Sequence, residues 1–310
     1  MDSSFFMDIV YEWEDIIAKK LSIKIVKDNN IRIKRWLYYI PGCIRLLFPC
    51  GFYLKYDLDT WCSVGLNEKF VIPIIIDFYV PEKELKDFYS RYNNHKVVII
   101  TSKEAYDFLK KHDCPFKIAH WPLSIPDIYK ITPSTRFKKK YDILLLGRQN
   151  KVLQSFLQTY LKAHPNLNYV SNVWKDGKWY YYSSSGDDIG FVDSREDYIR
   201  LMRCTKVMFY STPGKDNNGS HHNGYNQVTP RFLECLACGC HIIMRYDLNP
   251  DVEYYELPKH WKSVDSYDEF VYQLEYALSH EVDMKMYSDY LKNHYTSTRT
   301  EELRLLLKNI

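Results

Sequence analysis

The sequence predicts an α/β protein of two domains, each a largely parallel sheet with helices on both faces. Three observations carry that expectation. At 310 residues the chain exceeds the usual size of a single domain. Apolar runs of strand length alternate with segments of helical period along its length. A stretch with three prolines and a basic end, 122–140, interrupts the pattern near the middle.

The first half opens with a helix over 8–21, where apolar residues recur at helical spacing. VIPIII at 71–76 reads as a buried strand, 81–92 as a helix, KVVII at 96–100 as a second strand, 103–112 as a helix and FKIAHW at 116–121 as a third strand. Strands separated by helices run parallel and are covered on both faces. The stretch 122–140 is then the linker, which puts the domain boundary at 130/131: one domain over 1–130, a second over 131–310.

The pattern restarts with YDILLLG at 141–147, a strand ending in glycine, and a helix over 152–163. LNYV at 167–170 is the next strand, and the tyrosine-rich stretch 174–188 reads as a loop. A helix over 197–203, the strand KVMFY at 206–210 and a long polar loop over 214–227, with His221 and His222, follow. A helix, the strand HIIM and a helical tail from Tyr267 complete the chain. In open α/β sheets ligands sit beyond the carboxyl ends of strands, so chemistry is expected after Trp121, Leu146 and Tyr210.

Composition narrows the function classes. A net charge of +3 without a strong basic cluster gives no reason to expect a nucleic-acid partner. Eight cysteines without regular spacing, and acidic residues near the N-terminus where a secretory leader is basic, point to the reducing cytoplasm. The segment 32–54 pairs a basic start with apolar residues, but Pro41, Gly42, Arg45, Pro49 and Gly51 interrupt it. It is too broken to span a bilayer, for which roughly 20 apolar residues in sequence are needed. Contact with the inner face of the membrane suits it, as does a place in the core. G-x-G-x-x-G, the Walker sequence and G-x-S-x-G are all absent, which argues against dinucleotide dehydrogenases, P-loop enzymes and α/β-hydrolases.

The most informative stretch is VTPRFLECLACGCHII at 228–243. Thr229 and Pro230 start a helix and Gly239 stops it. Phe232, Leu233, Leu236 and Cys240 share one face; Arg231, Glu234 and Cys238 share another. Spacing admits two readings of Glu234. It can accept hydrogen bonds from a ribose whose phosphate sits at the helix tip, or it can be an exposed partner of Arg231 three residues before it. Cys235, Cys238 and Cys240 lie along a helix and its end, so they read as small packing residues and not as metal ligands.

This stretch resembles the signature of the group-one glycosyltransferases, T-P-R-hydrophobic-E-hydrophobic-A-C-G before a strand. YDILLLGR at 141–148 resembles that family's first strand and glycine loop in the nucleotide-binding domain, and DYIRLMRCTKVMFYSTPG at 197–214 its penultimate helix, strand and Ser/Thr-Pro loop. The resemblance spans the second half of the chain and implies a GT-B fold: two Rossmann-like domains facing each other across a cleft, the first holding the acceptor, the second a nucleotide sugar. It places Glu234 on the ribose and Gly147 and Arg148 at the pyrophosphate. Lys151 becomes a second cation, at a shorter offset than usual, and Ser211, Asn226, Thr229 and Arg231 complete the donor site. Asn226 stands where many members carry another glutamate, so retention or inversion stays open.

No metal and no cofactor is implied, because Arg148, a helix dipole and backbone N–H groups can stabilise the departing diphosphate. In the first half Asp77, after VIPIII, and His120, after FKIA, are candidate catalytic residues near the cleft. The resulting expectation is a metal-independent transferase moving a sugar from a nucleoside-diphosphate sugar to a glycan or lipid-linked acceptor in surface-polysaccharide synthesis. An epimerase of the same fold, or a decayed sugar- or membrane-binding protein, are the rivals.

Overall fold

The computed structural model describes residues 8–25, 53–57, 71–147, 149–217 and 222–309. Arg148, His221 and nearly all of the segment 32–54 lie outside them.

Two sheets form among the described residues. The first is wholly parallel, in the order β1 (Tyr53–Asp57), β2 (Val71–Ile75), β3 (Val98–Ile100), β4 (Ile118–His120). β2 is apolar at nearly every position because both of its faces are covered. One face packs on α2 (Leu85–Tyr92) and α3 (Lys103–Lys111) through Ile75, Val98, Ile100, Phe88 and Leu109. Ile72, Ile74 and Ile99 on the other face pack with α1 (Asp8–Leu21) and with Leu303 of α11 (Thr296–Lys308). The last helix therefore lies on the first sheet.

The second sheet has the order β10 (His241–Arg245), β9 (Thr205–Ser211), β5 (Tyr141–Leu144), β6 (Tyr169–Lys175), β7 (Lys178–Ser183), β8 (Asp188–Phe191). Its first four strands in that order are parallel and the last two antiparallel. On one face lie α4 (Lys151–Ala163) and α9 (Tyr267–Ser279); the other face is packed by α5 (Arg195–Arg203), α6 (Pro230–Ala237) and α10 (Met284–Leu291). Two short helices, α7 (Pro250–Tyr254) and α8 (Leu257–His260), follow β10. From β5 the chain moves to β6 on one side and returns as β9 on the other, so the switch point lies between β5 and β9.

Three expectations are corrected. The stretch 174–188 holds most of a β-hairpin, because Asp176 and Gly177, both at positive φ, form the tight turn that matches strand twist. The linker is not free: Ile125, Tyr129 and Ile131 are buried in the second core, and Ile125 bridges to Tyr295. Helix α6 is buried all round, not on one face, since α5, α10 and the sheet enclose it.

Candidate functional site

The carboxyl ends of β5 and β9 and the start of α6 meet at the switch point. Gly147 ends the β5 run at φ +62, a left-handed turn that glycine adopts at little cost. The Arg231 guanidinium closes over it: Nη1 donates to the Leu146 carbonyl at 3.2 Å, and Nη2 lies 3.2 Å from where a Cβ on Gly147 would stand. The Gly147 N–H points to the Tyr181 hydroxyl of β7 at 3.4 Å, so the hairpin supports the turn. Pro230 occupies the first turn of α6, and no side chain caps that helix. Thr229 holds its start differently from expectation, its backbone N–H donating to the Tyr210 hydroxyl at 2.9 Å.

Glu234 is buried, 3% exposed, and both oxygens are engaged. Arg195 Nη1 lies 2.7 Å from Oε1, and the Tyr198 hydroxyl donates to Oε2 at 3.0 Å. The pairing with Arg231 proposed from spacing is replaced by this one with α5. Arg195 also reaches Glu12 of α1, Nε to Oε2 at 2.9 Å. Burial works against the Arg195 cation, but Glu234 and Glu12 hold it charged, with its pKa raised. Tyr198 in turn favours the charged Arg231 guanidinium, whose pKa is raised although burial works against it. A chain of polar contacts thus runs Glu12, Arg195, Glu234, Tyr198, Arg231, Gly147.

The other expected residues are dispersed. Lys151 is exposed at the start of α4, where Asn150 caps the helix by accepting from the Val152 and Leu153 N–H groups. Ser211 is half-buried at the end of β9. The Asn226 side chain is turned inward, accepting from Thr212 Oγ1 at 2.7 Å and donating to the Gly224 carbonyl.

In the first half, Asp77 accepts from the Tyr79 hydroxyl at 3.3 Å. His120 sits between Tyr106 and Tyr254, ring centroids 5.8 and 4.9 Å away, and its buried Nε2 has no hydrogen-bond partner among the described residues. Burial, with Lys103 and Arg299 nearby, lowers its pKa to about 4. It is therefore a neutral imidazole at pH 7 and a poor proton acceptor, suited to hydrogen bonding.

The two halves are joined at the mouth of the first sheet. Gln227 Nε2 donates to the Ile76 carbonyl at 2.8 Å, the Tyr225 hydroxyl to the Val80 carbonyl at 2.9 Å, and the Asn226 N–H to Glu104 Oε2 at 2.8 Å. Asp251 of α7 accepts from the Lys103 and Glu104 N–H groups at 3.0 and 3.1 Å and caps α3 from the opposite half. Burial and the nearby Asp251 raise Glu104 to about 7, while the Asn226 N–H opposes them; burial raises Asp251 to about 6. Glu104, Arg195 and Tyr198 were not singled out from the sequence. Only Glu104 left a signal there, its place just beyond the strand KVVII.

Burial raises the thiols of Cys235, Cys238 and Cys240 and keeps them protonated. They pack in the core, the Cys240 thiol 3.2 Å from the Met202 carbonyl. No cluster of three or more His, Cys, Asp or Glu fit for a metal occurs among the described residues. Nor is any helix among them long and apolar enough to cross a membrane.

Comparison with solved structures decides the architecture. A trehalose-6-phosphate synthase studied with bisubstrate glycomimetics for glycosyl transfer with retention superposes at a TM-score of 0.51 and 12% identity, covering 98% of this chain and 84% of its own. The fold is GT-B. An α,α-trehalose-phosphate synthase (UDP-forming) from Burkholderia vietnamiensis matches at 0.50 and 12%, over 98% of this chain and 85% of its own. A trehalose-6-phosphate protein from E. coli bound with UDP-2-fluoro glucose matches at 0.50 and 12%, over 93% and 80%. No protein-family model matches the sequence, and no curated protein aligns with it. In GT-B terms the Gly147 turn and Arg231 lie in the second Rossmann-like unit.

Proposed function

We propose that this chain is a glycosyltransferase that takes its sugar from a nucleoside-diphosphate sugar. One observation carries the reading: a half-buried guanidinium, Arg231, is held at a left-handed glycine turn beside an uncapped helix start, at the switch point of a parallel sheet. Backbone N–H groups, a helix dipole and a bidentate cation together suit a diphosphate. Breaking the sugar–phosphate bond leaves both bonding electrons on the diphosphate oxygen, and these groups stabilise that charge. Arg148, next to Gly147 in sequence, and the exposed Lys151 would add positive charge for the diphosphate.

Glu234 supports the site in two ways under this reading. It holds Tyr198, which favours the charged Arg231 guanidinium, and each of its oxygens keeps lone-pair capacity for a ribose hydroxyl. His120 contacts the donor sugar as a neutral imidazole, Asp77 serves the acceptor hydroxyl, and no metal takes part. The solved neighbours are described as UDP-forming and as bound with UDP-2-fluoro glucose, which makes UDP the first nucleotide to try. The acceptor is a glycan or lipid-linked saccharide in surface-polysaccharide synthesis, met in the cytoplasm at the inner face of the membrane through 32–54.

The test is product analysis with a panel of nucleoside-diphosphate sugars, with and without saccharide acceptors. Release of nucleoside diphosphate with a new glycosidic bond is expected. Conversion of the donor without an acceptor points to the epimerase, and no turnover of any donor overturns the proposal.

A further inference from the structure

A basic cavity lies at the far end of α6, some distance along the helix from Arg231. It encloses about 360 Å³, a volume suited to a small organic ligand. The linker, the amino ends of β9 and β10, and the turn between α9 and α10 wall it.

Its chemistry is lopsided. Arg136, Lys139, Lys206, His241 and His280 line it, against one carboxylate, Glu281. Lys206 is neutralised by Asp142 at 2.8 Å. Arg136 and Lys139 have no carboxylate partner among the described residues. Arg136 donates only to the Pro133 and Thr135 carbonyls. The half-buried Lys139 donates to the Cys238 carbonyl at the end of α6, 2.9 Å away, and stands 5.5 Å from the Phe137 ring. His241 and His280 meet through a 2.8 Å contact from His241 Nε2 to the His280 carbonyl.

The cavity also has a fixed apolar wall. Phe137 and Met284 close on Gly239, whose φ of +61 ends α6; an added Cβ there would lie 3.0 Å from Phe137 and 3.2 Å from Met284. Two uncompensated cations over a ring-and-thioether wall match a ligand with an anionic head and a flat apolar body. A phosphoryl group suits the pair best, because it offers three acceptor oxygens to a guanidinium fork and an ammonium at once.

We propose that this cavity binds an organic phosphate carrying a ring-sized body, at a site separate from the donor site. The head lies between Arg136 and Lys139, and the body lies on Phe137 and Met284. The inference does not depend on the glycosyltransferase reading.

Phenyl phosphate, inorganic phosphate and phenol serve as probes, followed by methyl NMR of 13C-labelled methionine with the Met284 signal as reporter. Phenyl phosphate is expected to move that signal saturably, more tightly than inorganic phosphate and more weakly at high salt. Arg136→Gln and Lys139→Gln should each weaken it by about tenfold. Arg136 is exposed and touches only local carbonyls, so its variant keeps the fold even if Lys139→Gln disturbs the helix end. No movement of the Met284 signal, binding by both variants as tight as by wild type, or binding of phenol as tight as that of phenyl phosphate would overturn the proposal.

Discussion

Arg195 lies 2.7 Å from Glu234 in the interior, and the pair ties the helix that bears Arg231 to its neighbour. The side chains are 9% and 5% exposed, so each charge depends on the other for its solvation. Arg195 also holds Glu12, which brings the first helix of the chain onto the second domain. Glu234 is thus a structural anchor before it is anything else.

Removing one partner leaves the other charge buried and uncompensated. Arg195→Ala and Glu234→Ala should each lose about 3–5 kcal/mol in urea unfolding at pH 7. Glu12→Ala should lose less, because Glu12 is 21% exposed and Arg195 keeps Glu234. Equal small losses in all three would mean the network is not formed.

Gly147→Ala places a side chain at positive φ against Arg231. The backbone cost is roughly 1–2 kcal/mol, and displacement of the guanidinium should weaken nucleotide binding as well. Gly177→Ala, at φ +77 with nothing within 4 Å of the new Cβ, should cost stability alone. Thermal unfolding and nucleotide titration of both variants separate the two effects.

The seam between the halves should respond to mild acid. Glu104, raised to about 7 in the folded state, takes up a proton before its unfolded counterpart does, so its contribution to stability falls as pH rises from about 4.5 to about 7. His120 and His294, depressed to about 4 and about 3, act in the opposite sense below about pH 6.5. The difference between proteins isolates the carboxylate: Glu104→Gln should gain on wild type as pH rises through that window, by on the order of 1–3 kcal/mol. Parallel stability curves would show that Glu104 does not titrate there.

Local signals in the sequence recovered much of this molecule. The first helix, the strand VIPII, the α6 start at Pro230 and its stop at Gly239 follow from period, cap and turn chemistry, which act within a few residues. The hairpin over 169–183 was legible too, in an Asp-Gly pair between aromatic runs, but the density of tyrosines reads as a loop unless that pair is weighed.

What the sequence could not convey is long-range. Glu234 is joined to Arg195, 39 positions earlier, and through it to Glu12 at the start of the chain. Arg231 finds Gly147 only once α6 packs beside β5. Charges on a helix look alike in sequence whether they face solvent or a partner brought by another element, so burial of Glu234 follows from tertiary packing alone.

Arg231 is proposed to hold a nucleoside diphosphate at the Gly147 turn. Calorimetric titration of UDP, GDP, ADP, CDP and dTDP into wild type and Arg231→Gln tests it most directly. Wild type should bind at least one of them, and the variant, still unfolding cooperatively, should bind that one about tenfold or more weakly, as expected on losing a charged hydrogen-bond donor. Binding of none by wild type, or equal binding by the variant, would rule out that role for Arg231.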